Sequence, residues 1–411
     1  MSSEIARSLN LPKKSFLLLG PRGTGKSTLL KMKVKAKLDI SLLRSKQYLP
    51  LLQNPSLLQD WTNGLKAGDW IIVDEVQRIP ALLNEIHSIY EDRKLHFAIT
   101  GSSARKLKRG GANLLAGRAL QVFLFPLTWA EMKNQISGGE EAAMGDSGGA
   151  KDTEFALIEY LDWGGLPGVV SDEEHRKETL STYVETYLRQ ELTEEGLIRK
   201  LDPFARFLRI AGLYNAQVLN VESIAREAHL RRTTVDSYFE ILEDTLIGSR
   251  LEPLHLGFQS KEVRHPKFYF FDSGVARACA GLIFEEVDSV WKGFALETQI
   301  LHELRSYNSY RQRGKNFYYY KVANGIEVDF LVEIEKKTLS RPQSLLAIEV
   351  KLARQWDRRW SKSLNEFLER SERKVKRAIG VYTGATRLHH EKVEIFPVQD
   401  FMMKLSEGEF F

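Results

Sequence analysis

Short apolar runs alternate with helical patterns over the first 125 residues. The runs are SFLLLG ending at Gly20, WIIVDE from Trp70 and HFAITGS from His96, with helical spacing from Lys26 and from Leu82 to Tyr90 between them. That order predicts a parallel sheet wrapped by helices. A further apolar stretch, Gln121 to Phe125, ends at Pro126 and closes this core.

The pattern then changes. SGGEEAAMGDSGGA, residues 137–150, is small, acidic and glycine-rich, with nothing to bury, and reads as a mobile surface loop. From Glu154 to about Arg209 the spacing is helical, broken by the Gly164–Gly168 turn GGLPG. Leu219 to Leu254 divides into a helix over Val221–Ala228, a short turn and a helix from about Thr233 to Leu246, with Gly248 as its stop. This spacing predicts a helix-turn-helix followed by a wing. From Lys267 onward five apolar strands (KFYFF, NFYYYK, EVDFLVE, LLAIEVK, RAIGVYT) mix with helices over Phe294–Tyr307 and Ser361–Arg373, a further α/β domain. The expected boundaries are a P-loop core at 1–130, a helical connector or lid at 131–203, a winged helix at 204–262 and the last α/β domain at 263–411.

Composition narrows the class. At 411 residues the chain is long enough for two or three cores. No apolar run approaches the length of a membrane span, and the N-terminus lacks the pattern of a secretory signal, so the cytoplasm is expected and a membrane partner is not. One cysteine, Cys279, leaves no internal disulfide and no Cys-cluster metal site. The net charge is only +5, but basic residues gather at Lys31–Lys37, Arg105–Arg109, Arg231–Arg232 and Lys374–Arg377. Such clusters permit nucleic-acid binding and are equally compatible with solvated surface.

The candidate chemistry begins with GPRGTGKS at the end of the first strand. Gly20, Pro21, Arg22, Gly23, Thr24, Gly25, Lys26 and Ser27, with Thr28 opening the helix, match G-x-x-x-x-G-K-[ST] between a strand and a helix. In such a loop backbone N–H groups face phosphate oxygens, Lys26 reaches the terminal phosphates and Ser27 holds magnesium, so ATP and Mg2+ are the expected cofactors. Asp74 and Glu75 end a buried-type strand, which suits a magnesium-ordering carboxylate followed by a base for the attacking water. Thr100 and Ser102 end the next strand and offer hydroxyls for the terminal phosphate, although Thr-Gly-Ser-Ser is also ordinary turn chemistry. Arg118 is a candidate cation for the transition state, in cis or, in a homo-oligomer, in trans.

GPRGTGKS, WIIVDEVQRIP, AITGSSARKL, LLAGRAL and FPLTWAEM together resemble a family of prokaryotic AAA+ ATPases that carry a conserved C-terminal domain of uncharacterised function. YLDWGGLPGVV, YVETYLRQEL, KFYFFDSGVARA and the pair EVDFLVE and IEVK extend the resemblance over nearly the whole chain. It implies an α/β protein with an AAA-type core, a winged helix and a restriction-endonuclease-like C-terminal domain.

Charges interrupt the apolar strands of that last domain. Asp329 lies in EVDFLVE, Glu349 and Lys351 lie in LLAIEVK, and Glu297 lies on a preceding helix. Positions two apart on a strand face the same way, so Glu349 and Lys351 point together while Val350 points to the core. The order Glu, Asp, Glu-x-Lys resembles the PD-(D/E)XK nucleases, in which Glu297, Asp329 and Glu349 would hold a second divalent metal and Lys351 would act on water. A salt-bridged sheet edge, or a binding domain of nuclease-like fold without activity, accounts for the same residues. Arg231, Arg232, Thr233 and Thr234 open the second helix of the helix-turn-helix, where they can reach phosphates and base edges, although winged helices also serve as packing modules. The expected partner is nucleic acid, DNA foremost. The leading expectation is an ATP-driven enzyme on nucleic acid, and the alternative is an ATP-dependent switch or adaptor whose C-terminal domain binds without cutting.

Overall fold

A computed structural model describes residues 5–102, 119–136, 150–188, 198, 200–257, 262–323, 325–340, 343–371 and 374–411. The chain divides into two compact units. The smaller comprises Arg7–Pro126 with Ile241–Ile247, and the larger comprises Met1–Ala6, Leu127–Glu240 and Gly248–Phe411. Arg118, the Arg105–Arg109 cluster and residues 137–149 of the expected loop lie outside the described residues.

The smaller unit carries five strands, β1 (Phe16–Leu19), β2 (Ala36–Ser41), β3 (Trp70–Asp74), β4 (His96–Gly101) and β5 (Leu120–Phe123), all parallel in the order β2-β3-β4-β1-β5. Its described helices are α1 (Lys26–Lys33), α2 (Ser45–Gln53), α3 (Leu57–Trp61) and α4 (Leu82–Arg93). Leu17, Leu19, Ile71, Val73, Phe97 and Ile99 of the central strands pack on Leu82, Leu83, Ile86 and Ile89 of α4. Strands covered on both faces read as continuous apolar runs, which is why β1, β3 and β4 were visible in the sequence. β2 was not. It is an edge strand carrying Lys37 and Asp39, and the basic run Lys31–Lys37 is split between α1 and β2, where Lys31 Nζ lies 4.0 Å from Asp39. In this strand order the connection leaving β1 runs toward β2 while the one leaving β4 runs past β1 to β5, and in open α/β sheets the carboxyl end of the strands at such a switch is where ligands bind.

In the larger unit, α5 (Trp129–Ile136), α6 (Ala150–Trp163), α7 (Pro167–Val170) and α8 (Arg176–Thr182) precede α9 (Leu201–Leu213), α10 (Val221–Glu227) and α11 (Arg232–Asp244), whose residues from Ile241 on count with the smaller unit. β6 (Gly248–Leu251) pairs antiparallel with β7 (Lys267–Phe270). Next come α12 (Ser273–Ala280), α13 (Ser289–Tyr310), β8 (Phe317–Lys321), β9 (Glu327–Glu335), β10 (Ser344–Lys351), α14 (Arg358–Arg370), β11 (Val375–Tyr382), β12 (Leu388–His390), β13 (Val393–Pro397) and α15 (Val398–Glu407). The last six strands form one mixed sheet in the order β12-β13-β11-β10-β9-β8. Leu346, Ile348 and Val350 of β10 face Ile300, Leu301 and Leu304 of α13 and Phe401 of α15. Leu345 and Ala347, on the alternate face, join the cluster holding Leu364 and Phe367 of α14. The GGLPG turn breaks the helical run where expected. There the buried Asp272 accepts hydrogen bonds from Gly165 N at 2.7 Å and, as cap of α12, from Val275 N at 2.9 Å. Among the described residues no helix is long and apolar enough to cross a membrane.

Candidate nucleotide site and acidic cluster

The loop Gly20–Ser27 joins the carboxyl end of β1 to α1. A Cβ on Gly20 would lie 2.2 Å from the Leu124 carbonyl oxygen, and Gly25 caps α1 at φ +86°, so neither position tolerates a side chain without strain. Lys26, buried, donates from Nζ to the carbonyls of Gly20 at 2.8 Å and Pro21 at 2.9 Å, and Thr24 Oγ1 donates to Pro21 O at 2.9 Å. Arg7 braces the loop from the chain start, donating to Thr24 O at 2.8 Å and to Phe125 O at 2.6 Å. Thr28 faces solvent and Arg22 is half-buried.

The ends of β3 and β4 and the start of α1 meet at one carboxylate. Asp74 Oδ1 accepts from Ser27 Oγ at 2.7 Å and from Thr100 Oγ1 at 2.6 Å, and the Thr100 hydroxyl in turn accepts from the Glu75 backbone N–H at 2.9 Å. Glu75 adopts a left-handed φ of +62°, uncommon for a residue with a Cβ and a mark of functional positions. Its carboxylate accepts a short hydrogen bond from Gln77 Nε2, which also donates to Ser102 Oγ at 2.8 Å. The structure therefore brings Gly20, Lys26, Ser27, Asp74, Glu75, Thr100 and Ser102 together. Gln77 was missed, because a glutamine just beyond a strand end reads as an ordinary boundary residue. The hydroxyl of Ser27 and the carboxylate of Asp74 are hard oxygen donors side by side, which fits Mg2+.

Residues 12–133 match an AAA domain. Two domains of unknown function follow, DUF8612 over residues 154–286 and DUF4143 over residues 292–401. The uncharacterized protein Rv2008c of Mycobacterium tuberculosis is 26% identical over 365 residues, 82% of this chain and 74% of its own. The Holliday junction branch migration complex subunit RuvB of Chlorobium phaeovibrioides is 35% identical over 94 residues, 22% of this chain and 26% of its own. The ORC2 protein of Aeropyrum pernix, solved as ADPNP and ADP complexes, aligns at a TM-score of 0.38 and 11% identity, covering 66% of this chain and 87% of its own.

Beyond the AAA domain, the larger unit gathers Glu297, Asp329, Glu349 and Lys351, as their order along the chain suggested, but around a residue not singled out from the sequence. Lys267, at the start of β7 and only 3% exposed, places Nζ 3.1 Å from Glu327, 3.3 Å from Glu297 and 3.6 Å from Asp329. Burial works against its charge, yet Glu297 and the other carboxylates outweigh burial and hold its pKa well above the ordinary lysine value. The Tyr269 hydroxyl donates to Glu297 Oε2 at 3.0 Å. Lys351 ion-pairs closely with Glu349 and lies 3.9 Å from Asp329, whose Oδ2 accepts from Val350 N at 2.8 Å. Glu349 and Lys351 thus point together, and Val350 enters the core.

The carboxyls of this cluster differ in proton affinity. Burial, then the nearby Asp329, raises Glu349 to about 8, and burial raises Glu297 to about 7. For Glu327 burial pushes upward, but Lys267 and Lys321 outweigh it and lower the pKa. Glu349 Oε2 is buried with no hydrogen-bond partner. Among the described residues no group of three or more His, Cys, Asp or Glu side chains is arranged to hold a metal ion. The second metal expected at Glu297, Asp329 and Glu349 therefore lacks a ligand set, because ammonium groups already serve these carboxylates as counter-ions. Glu327 was legible in principle: it stands two positions before Asp329 on the same strand face.

Proposed function

We propose that this chain is an ATP-hydrolysing AAA+ protein that works on nucleic acid, DNA foremost, in the cytoplasm. The observation that carries the reading is the convergence of Ser27, Thr100 and the Glu75 backbone around Asp74, at the carboxyl end of a parallel sheet. The loop amides and Lys26 would bind the phosphates, with Lys26 Nζ moving from the loop carbonyls to phosphate oxygens. Ser27 and Asp74 would hold Mg2+, which supplies charge compensation to the phosphates. Glu75 would accept the proton of the attacking water, with Gln77 and Ser102 fixing its carboxylate. Thr100 orients Asp74 and Glu75 together. Arg118 is proposed to complete the site from a second copy in a homo-oligomer, or from its own chain.

In the larger unit we assign α9, α10, α11, β6 and β7 to a winged helix, with Arg231 and Arg232 at the DNA-facing start of α11. Arg232 pairs with Glu222 at 3.3 Å and Asp236 at 3.9 Å on an exposed surface, so its charge remains available for phosphate. The succession α13-β8-β9-β10-α14-β11 supports the restriction-endonuclease-like fold. For this domain the ammonium of Lys267 among the acids favours the second reading, an output domain that binds without cutting.

Two variants test the ATPase assignment. Lys26→Ala is expected to weaken ATP binding at least about tenfold through loss of charge-assisted hydrogen bonds. Glu75→Gln is expected to bind ATP and fail to turn it over. Unchanged ATP affinity in the first, or wild-type turnover in the second, would remove the site.

A further inference from the structure

We propose that Lys267 is a built-in substitute for a divalent cation, so that the carboxylates of Glu297, Glu327, Asp329 and Glu349 take Mn2+ or Mg2+ only when its ammonium is withdrawn.

The acids and the cation come from different parts of the chain. Glu327 and Asp329 stand on β9 and Glu349 on β10, within the six-stranded sheet, and Glu297 stands on α13. Lys267 comes from elsewhere: it opens β7, pairs across to Leu251 of β6 and bridges to Val218. The cation is thus delivered, along with the Tyr269 hydroxyl, by a two-stranded ribbon into a site whose carboxylates all stand on other elements.

The contacts fit substitution. One ammonium spans three carboxylates at 3.1–3.6 Å, with the Tyr319 ring 5.5 Å away. Oxygen donors of this kind suit hard divalent ions, which need ligand distances of roughly 2.0–2.2 Å. At the observed separations the acids are spread around a larger monovalent group, and a metal needs them to close in after the lysine leaves. The second observation is Glu349 Oε2, an orphaned carboxylate oxygen on a residue only 8% exposed, beside Asp329 and Lys351. Such a group is costly to leave without a partner. Its companion oxygen is held by Lys351, so Oε2 is the donor that remains for an incoming ion. As long as Lys267 stays in place, its ammonium excludes a divalent ion from this cluster.

The test is Mn2+ binding by the full chain without nucleotide, counted by electron paramagnetic resonance. Wild type is expected to retain no Mn2+ at this cluster. Lys267→Ala is expected to bind one ion per chain at Mn2+ concentrations at least about tenfold below any at which wild type takes one up, and Lys267→Ala combined with Asp329→Asn is expected to lose it. Because removing the ammonium leaves acids without a counter-ion, Lys267→Ala and Lys267→Gln are also melted with and without Mn2+, and the ion is expected to restore stability. One Mn2+ bound by wild type and lost in Asp329→Asn overturns the proposal. So does a Lys267→Ala chain that binds none, or one that stays unfolded with Mn2+ present. The readout is metal occupancy, so it stands apart from ATP turnover.

Discussion

Glu75 shows how much of the proposed chemistry hangs on single residues. Its left-handed backbone donates from N–H to the Thr100 hydroxyl, while its carboxylate accepts from Gln77, so main chain and side chain are each held. Small errors in the placement of a catalytic base cost rate rather than binding. Gln77→Ala is therefore expected to lower kcat on the order of tenfold while ATP affinity stays within about twofold of wild type. Steady-state kinetics paired with a binding titration checks this, and an affinity loss as large as the rate loss would make Gln77 a binding residue. Glu75 was legible in the sequence because two adjacent acids at the end of the buried run WIIV are costly to place unless a cation or a reacting water meets them. Gln77 and Lys267 were not legible. A glutamine after a strand and a lysine before one look like ordinary boundary residues, and only tertiary contacts separate them from surface.

Among the elements, α13 joins a half-buried acid, Glu297, and a buried one, Glu303, on one helix. Glu297 reaches the lysine cluster, while Glu303 Oε1 accepts from Trp129 N at 2.6 Å and Tyr160 OH at 2.8 Å, with Glu131 nearby. Burial raises Glu303 from the ordinary 4.5 to about 8 despite those two donors. The folded chain therefore holds this proton more tightly than the unfolded chain. Its contribution to stability is full below the ordinary carboxylate pKa and is lost as pH rises through about 8. The slope is at most about 1.4 kcal/mol per pH unit for one proton. Glu303→Gln keeps an acceptor for both donors and is expected to flatten the fall of Tm across that window. An unchanged profile would assign the pH dependence to Glu349, Glu297 and Asp272, which burial also raises. Periodicity exposed α13 and the central strands because they bury continuous apolar faces. It did not expose β12, β13 and α15, whose short mixed segments take their pattern from packing at the end of the sheet.

At the scale of the whole molecule, the proposed function joins a nucleotide-driven AAA domain to a DNA-binding and nuclease-like region. If the start of α11 contacts the DNA backbone, Arg231→Ala is expected to weaken binding across sequences and to reduce the salt dependence of log K by about one unit. A salt slope that does not change would take α11 off the DNA. The AAA core was legible because its phosphate loop and apolar strands have a distinct pattern, and the C-terminal strands were legible from their apolar runs. What the C-terminal cluster holds was not, since an acid-rich set reads the same whether its counter-ion is a metal or a lysine. The central claim is ATP hydrolysis at the loop Gly20–Ser27 with Glu75 as base. Its most direct test is single-turnover hydrolysis by wild type and Glu75→Gln after ATP binding has been measured for both. Equal binding with turnover only in wild type is the expected result, and hydrolysis by Glu75→Gln at the wild-type rate would contradict the claim.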